Sequence, residues 1–268
     1  MANDIISCGG FEFVHCADGL MAVKYCGKEE YPDIPGNVDG IPVTAIGEYV
    51  FCDMHDAGIE LVDVRTMDDI SGLSTIIKGI NIPETLRTIS SAAFFGCTLL
   101  ERIVIPESVE TIGSAAFGGC KSLKEIILPT GLNIINAGLF RGCTELSIIE
   151  LPSKVECIEH LAFSGCSSLT DIKLPCGLKK IGSMAFQNCS SLRSIEIPQS
   201  VESIGQGAFV RAGLEECTVK AKIYELPPAV FAHCSRLKKV ILSSETEEIG
   251  VDAFDFCDSL TTISYIGE

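Results

Sequence analysis

The sequence predicts a repeat solenoid, in which short parallel strands stack along one axis and each repeat buries its apolar face against the next. Three observations predict it. Phenylalanines recur at Phe94, Phe117, Phe140, Phe163, Phe186, Phe209, Phe231 and Phe254, with a step of 23 residues except for 22 between Phe209 and Phe231. A second column, Ile82, Ile105, Leu128, Leu151, Leu174, Ile197, Val219, Leu242 and Tyr265, keeps the same step and the same single slip. A cysteine follows most of the phenylalanines at a spacing of three, as in "FGGC" from Phe117 and "FSGC" from Phe163. Columns that share one deletion, near "RAGLEE", mark a repeated unit.

Each element of the unit follows from residue type. Leu123, Ile126 and Leu128 match the L-x-x-L-x-L core of a leucine-rich repeat, and Leu146/Ile149/Leu151, Leu169/Ile172/Leu174 and Leu192/Ile195/Ile197 repeat it. The Ile-x-Leu alternation predicts a short strand with one face buried. Pro83, Pro106, Pro129, Pro152, Pro175 and Pro198 then end the strand, because proline has no N–H for a ladder. Val109-x-x-Ile112 predicts a short extended segment. The stretch Ser114 to Gly119, "SAAFGG", predicts a single helical turn, too short for a longer helix. Gly113, Gly182, Gly205 and Gly250 share a column with Asn136, Glu159 and Pro227, so that column has no general need for a positive φ.

The pattern extends N-terminally in weaker form. Ile77/Ile80/Ile82 and Ile59/Val62/Val64 keep the spacing of the strand core, and Ile46, Gly47 and Phe51 fit the next part of the unit. Between Val64 and Ile77 the phenylalanine and cysteine are missing. Before them, Phe11 to Gly27 holds two apolar runs around Asp18-Gly19, a hairpin signal. We expect one continuous domain: a hairpin cap over residues 1–30, divergent leading repeats over 31–81 and regular repeats over 82–268. A cap is needed to cover the first open core face of a solenoid.

The unit resembles the BspA-type leucine-rich repeat of many bacterial and some protist proteins. The "IP" and "IG" pairs, the "AF" pairs at 93–94, 116–117, 162–163, 185–186, 208–209 and 253–254, and the "GC" pairs at 96–97, 119–120, 142–143 and 165–166 carry the resemblance. "VDGIPVTAIGEYVF", from Val38 to Phe51, is similar to the family's entry into its first full repeat. The resemblance implies a right-handed superhelix with the strands on its concave face. It also implies a non-catalytic role in binding other proteins, often at a cell surface.

The chain has 14 cysteines, which raises the question of disulfides or metal. Stacking sets equivalent residues about 4.8 Å apart, beyond the usual Cβ–Cβ range of a disulfide of about 3.5–4.5 Å. Cys97, Cys120, Cys143, Cys166 and Cys189 therefore read as an inward ladder of reduced thiols, resumed at Cys234 and Cys257. Ala212 in the same column indicates a site for a small buried group. No Cys-x-x-Cys occurs, which argues against zinc. Cys8, Cys16, Cys26 and Cys52 crowd the N-terminal region, where Cys16 and Cys26 would be the pair to bridge in an exported chain. Cys157, Cys176 and Cys217 complete the set. Unpaired thiols in this number fit a reducing compartment.

The net charge of −16 opposes binding to nucleic acid and to anionic lipid. No apolar run reaches the length of about 18 residues needed for a membrane helix. Met1 to Gly10 has Asp4 and no basic residue, so it lacks the features of a signal peptide. The expected location is cytoplasmic; secretion or the cell surface is the alternative if an export signal has been removed. His15, His55, His160 and His233 lie in no catalytic motif, and adjacent residues such as His15-Cys16 and His233-Cys234 point to opposite faces of a strand. We expect neither enzyme activity nor a cofactor.

Function then rests on the exposed strand positions. The column before the central Ile reads Arg102, Glu125, Ile148, Asp171, Ser194, Glu216, Lys239, Thr262. The column after it reads Val104, Ile127, Glu150, Lys173, Glu196, Thr218, Ile241, Ser264. The candidate partner-binding residues are Arg102, Val104, Glu125, Ile127, Ile148, Glu150, Asp171, Lys173, Glu196 and Glu216. They combine a small apolar group with stacked acids, a surface for a basic or mixed protein segment. Two alternatives remain: a solvated acidic sheet face, and a spacer or scaffold with no specific ligand.

Overall fold

The structure, a computed structural model, describes residues 4–51 and 76–267. Cys52, His55 and the leading unit Ile59/Val62/Val64 lie outside the described residues. The rest forms a solenoid of stacked parallel strands without a helix. Each repeat contributes three segments, so the solenoid has three columns around one core.

The first column holds the L-x-x-L-x-L strands. Arg102–Val104 pairs in parallel with Glu125–Ile127. Ser194–Ile197, Glu216–Val219, Lys239–Leu242 and Thr262–Tyr265 form a second parallel group. The intervening repeats contribute only the bridge between Ile148 and Asp171. In Arg102–Val104, Glu125–Ile127 and Ser194–Ile197 the central Ile is buried between exposed neighbours, as the alternation predicts, whereas Ile263 in the last strand is exposed.

The second column holds the short extended segments, such as Thr88–Ile89, Thr111–Ile112 and Ile134–Ile135. Its ladder opens at two steps, and residue type explains both. The residue in the glycine column normally donates its amide to the preceding repeat, as Gly205 does to Ile181 O at 2.7 Å. Pro227 has no amide to give, and the ladder stops between Ser203–Ile204 and Glu225–Leu226. At Asn136 the side-chain Nδ2 donates to Ile112 O at 2.6 Å, and the ladder stops between Thr111–Ile112 and Ile134–Ile135. None of Gly113, Gly182, Gly205 and Gly250 has a positive φ. Their column serves close backbone approach: a Cβ on Gly205 would lie 2.2 Å from Ser183 N.

The third column corrects the expected single helical turn. Ser114 to Gly119 instead forms consecutive turns around residues in the left-handed region. Ala115 has φ 53° and Gly119 φ 72°, and the same two positions are left-handed in every later repeat. A left-handed residue turns the next amide away from the helical direction. Alternate amides therefore reach the following repeat: Ala115, Phe117 and Gly119 donate to Ala137, Leu139 and Arg141 O at 2.8, 3.1 and 2.6 Å. The remaining amides close turns within the repeat, as Cys120 N does to Phe117 O at 3.2 Å. These bonds offset the roughly 1–2 kcal/mol that the left-handed region costs an L-residue.

At the N-terminal end, Phe11–Cys16 and Gly19–Tyr25 form the antiparallel hairpin. The two-residue turn is Ala17-Asp18, one position earlier than expected, and Gly19 opens the second strand with φ 151°. A Cβ on Gly19 would lie 2.3 Å from Pro42 O, so close approach accounts for that glycine. Ile6–Cys8 adds a third antiparallel strand, and Gly19–Tyr25 pairs in parallel with Ile41–Ile46, the first segment of the second column.

Between the columns lies a continuous aromatic spine. Phe51, Phe94, Phe117, Phe140, Phe163, Phe186, Phe209, Phe231 and Phe254 stack with centroids 4.8 to 6.0 Å apart and planes within 23°. Phe11 continues it with an edge contact to Phe51 at 5.9 Å.

Candidate protein-binding face

The cysteine ladder is buried, with Ala212 in its place. Its thiols do more than fill space. Cys120 Sγ donates to Phe94 O at 3.2 Å, and Cys143, Cys166 and Cys189 donate in the same way to Phe117, Phe140 and Phe163. The pattern resumes from Cys234 to Phe209 and from Cys257 to Phe231. Each thiol thus ties its own repeat to the phenylalanine carbonyl of the repeat before. Burial pushes the thiols of Cys189 and Cys234 up to about 12, and those of Cys120, Cys143, Cys166 and Cys217 upward as well. Thiols held neutral are poor nucleophiles and poor metal ligands.

Cys16 and Cys26 are not placed to bridge. Cys16 faces Gly19 at the hairpin turn, whereas Cys26 follows Tyr25 at the other end. Cys16 Sγ lies 3.5 Å from Thr44 Oγ1, and Cys26 Sγ donates to the Glu12 carboxylate at 3.7 Å. The His233 ring stacks on Phe256 at 4.5 Å, while Cys234 points into the core, so the adjacent pair is divided between two environments. His160 Nδ1 lies 2.8 Å from Ser183 O.

All ten candidate face residues are exposed. Val104, Ile127 and Ile148 keep 47%, 45% and 62% of their surface in solvent, which is unusual for three aliphatic side chains on one sheet face. Ion pairs modify the acidic part. Arg102 Nε lies 3.2 Å from Glu125 and Lys220 Nζ 2.8 Å from Glu196. Lys220 was not among the residues expected here, because it stands one position past the strand core. Among the described residues, Glu150 and Asp171 at the middle of the face and Glu216 in the four-stranded group have no ion pair within 4.0 Å, and neither has Lys173, which stands level with Glu150 by the repeat step.

The same middle is where the first-column ladder is interrupted. Glu125–Ile127 bonds only to Arg102–Val104, and the four-stranded group begins at Ser194–Ile197. Two adjoining clefts lie here: the first at the interruption after Glu125–Ile127, the second over the bridged Ile148–Asp171 step and reaching Glu196 and Pro198 beyond the next interruption. One, of about 680 Å³, is lined by Glu125, Ile127, Ile148 and Glu150 among others. The second, of about 700 Å³, is lined by Ile148, Glu150, Asp171, Lys173, Cys176 and Glu196 among others. Ile148 and Glu150 line both and form the ridge between them. No proline stands in residues 124–128, 147–151, 170–174 or 193–197, so the sequence carried no signal for these interruptions.

Comparison with known proteins gives a consistent picture. The family described as "BspA type Leucine rich repeat region" matches in six copies over residues 73–183 and 157–268. A leucine-rich repeat protein from Eubacterium ventriosum is similar at 26% identity and a TM-score of 0.56, over 75% of this chain and 50% of that one. A leucine-rich repeat protein from Bacteroides ovatus is similar at 21% identity and a TM-score of 0.52, over 96% of this chain and 81% of that one. A leucine rich cell surface protein from Faecalibacterium prausnitzii matches at 24% identity and a TM-score of 0.46, over 100% of this chain and 96% of that one. Curated proteins give no significant match.

Proposed function

The chain belongs to the BspA-type leucine-rich repeat family, and from that premise we propose that it is a non-catalytic protein-binding module whose strand face grips a basic, partly apolar partner segment. The observation that supports this most is the coincidence at one place of exposed Ile127 and Ile148, unpaired Glu150 and Asp171, and two clefts. Exposed isoleucines supply apolar area, and unmatched carboxylates supply attraction for a cation and penalise a wrong partner. Arg102, Val104, Lys173, Glu196 and Glu216 frame this centre. We read the N-terminal hairpin as the cap and residues 31–81 as leading repeats of the same domain. No described helix is long and apolar enough to cross a membrane. In an exported chain the same face would serve adhesion or contact with a host.

Affinity capture with matched baits tests this reading. Wild-type protein and a Glu150→Lys, Asp171→Lys, Glu196→Lys variant are compared at low and at physiological salt. Partners retained by wild type, lost from the variant and weakened by salt support it, because attraction between exposed charges is screened beyond about 8–10 Å at physiological ionic strength. Identical retained sets would remove the face from function and leave stacking itself as the role of the chain.

A further inference from the structure

Resting on that reading, we propose that the partner segment binds as an extended strand lying along a cleft, with Lys or Arg at every second position. Three features of the clefts specify this form. The first is backbone. Parallel strands at Glu125–Ile127 and around Ile148 should share a ladder, yet among the described residues no backbone hydrogen bond crosses that step, nor the step from Thr170–Leu174 to Arg193–Ile197. Elsewhere the ladder is intact, as where Lys124 N donates to Glu101 O at 2.9 Å and Lys238 N to Glu215 O at 2.8 Å. At these two steps the strand amides and carbonyls lack the inter-repeat partner they have elsewhere, and an extended chain can supply one.

The second feature is the arrangement of side chains in rows. Ile148 and Asp171 stand directly opposite each other in register. By the repeat step, Glu125 stands level with Ile148, and Ile127 with Glu150. Each row of the first cleft thus offers one isoleucine and one carboxylate. Lys and Arg match such a row, because their aliphatic stems cover apolar surface while the charged head reaches the acid. The third feature is period. Ile148 and Glu150 are two residues apart on one strand and face the same side, and side chains two apart on an extended ligand repeat with the same spacing. A helical ligand presents neighbours at three and four residues instead, and would match one row only.

The ion pairs do not block this. Arg102–Glu125 and Lys220–Glu196 are exposed pairs, worth about 0–1 kcal/mol, so a ligand cation can exchange with them. Glu150, the carboxylate shared by both clefts, has no ion pair within 4.0 Å among the described residues to exchange.

The test uses three capped octapeptides of equal charge on the full chain, read by calorimetry or fluorescence anisotropy: one alternating Lys and Val, one with four Lys followed by four Val, and one alternating peptide N-methylated along its backbone. The alternating peptide should bind at least tenfold more tightly than either of the others. Ile148→Lys and Glu150→Lys should each weaken it at least tenfold, with circular dichroism unchanged. Equal affinity of the three peptides would show charge attraction alone: it overturns the extended-strand proposal while leaving the acidic binding face in place. Binding of none of the three, together with salt-dependent partner capture by the wild type, would also overturn it and point to a folded partner surface.

Discussion

The turn column and the first strand column are built from the same repeats, yet they differ in continuity. The phenylalanine stack runs unbroken from Phe51 to Phe254, and thiol-to-carbonyl bonds from Cys120, Cys143, Cys166, Cys189, Cys234 and Cys257 tie its repeats together. The strand face is bonded at both ends and open in the middle, where the isoleucines and unpaired acids are. In a solenoid each repeat is held mainly by its neighbours. A continuous spine therefore lets the face loosen locally without loss of the fold. The continuous packing thus lies on one side of the repeat and the proposed binding face on the other.

The largest test of that division is alkaline. A buried thiol raised in the folded state binds a proton that the unfolded chain has lost above about pH 8.5. Its stabilising contribution is complete below that pH and is lost as pH rises toward the folded value, about 12 for Cys189 and Cys234. Each such thiol should steepen the loss by about 1.4 kcal/mol per pH unit in that window. Urea unfolding between pH 8 and 10.5 should show a slope that Cys166→Ala and Cys189→Ala each reduce by about this amount. A slope indifferent to these substitutions would mean that the thiols ionise in the folded protein.

Next in size is the contrast between Phe163→Ala and Ile148→Ala. Phe163 is fully buried, with stacked rings on both sides, and its loss should cost about 3–5 kcal/mol because rings fixed by their own repeats cannot close the cavity. Ile148 is exposed, and its truncation should change stability by less than about 0.5 kcal/mol. Comparable midpoint shifts in urea would erase the distinction between spine and face.

Much of this was legible in the residues. The period located every phenylalanine and the thiol ladder, and the alternation identified the outward positions of the face. The helical turn was misjudged because "SAAFGG" has helical composition, whereas the inter-repeat bonds that favour left-handed Ala115 exist only after stacking. Composition also could not show that the thiols act as donors: Ala212 made the column look selected for size alone. Pro227 and Asn136 carry visible reasons for the gaps in the second column. The gaps in the first column have none, since every residue there has an amide and a carbonyl. The centre of the candidate site was therefore the part least accessible to sequence.

A smaller effect tests the spine one bond at a time. Ala212 occupies the position from which a thiol would reach Phe186 O, and its amide closes the usual turn to Phe209 O at 3.0 Å. Ala212→Cys should supply the missing bond and stabilise by about 0.5–1.5 kcal/mol, while Cys166→Ala, which removes the donor to Phe140 O, should cost about 1–3 kcal/mol. If Ala212→Cys destabilises, volume rather than hydrogen bonding sets the column.

The smallest expected effect on stability is at the centre of the face. Glu150 is exposed and has no ion pair within 4.0 Å among the described residues; on the ridge between the clefts it stands level with Lys173 by the repeat step, with Asp171 and Glu125 diagonal to it. Glu150→Lys relieves repulsion from the diagonal acids Asp171 and Glu125 but sets a lysine level with Lys173, so the two exposed effects oppose each other. Thermal unfolding should shift by no more than about 0.5 kcal/mol. Association with a basic partner should slow, because reversing an exposed charge changes the encounter rate and its salt dependence more than the packed contact. A loss of several kcal/mol in stability would place Glu150 in the framework instead, and the open middle of the ladder would then be a structural element rather than a binding one.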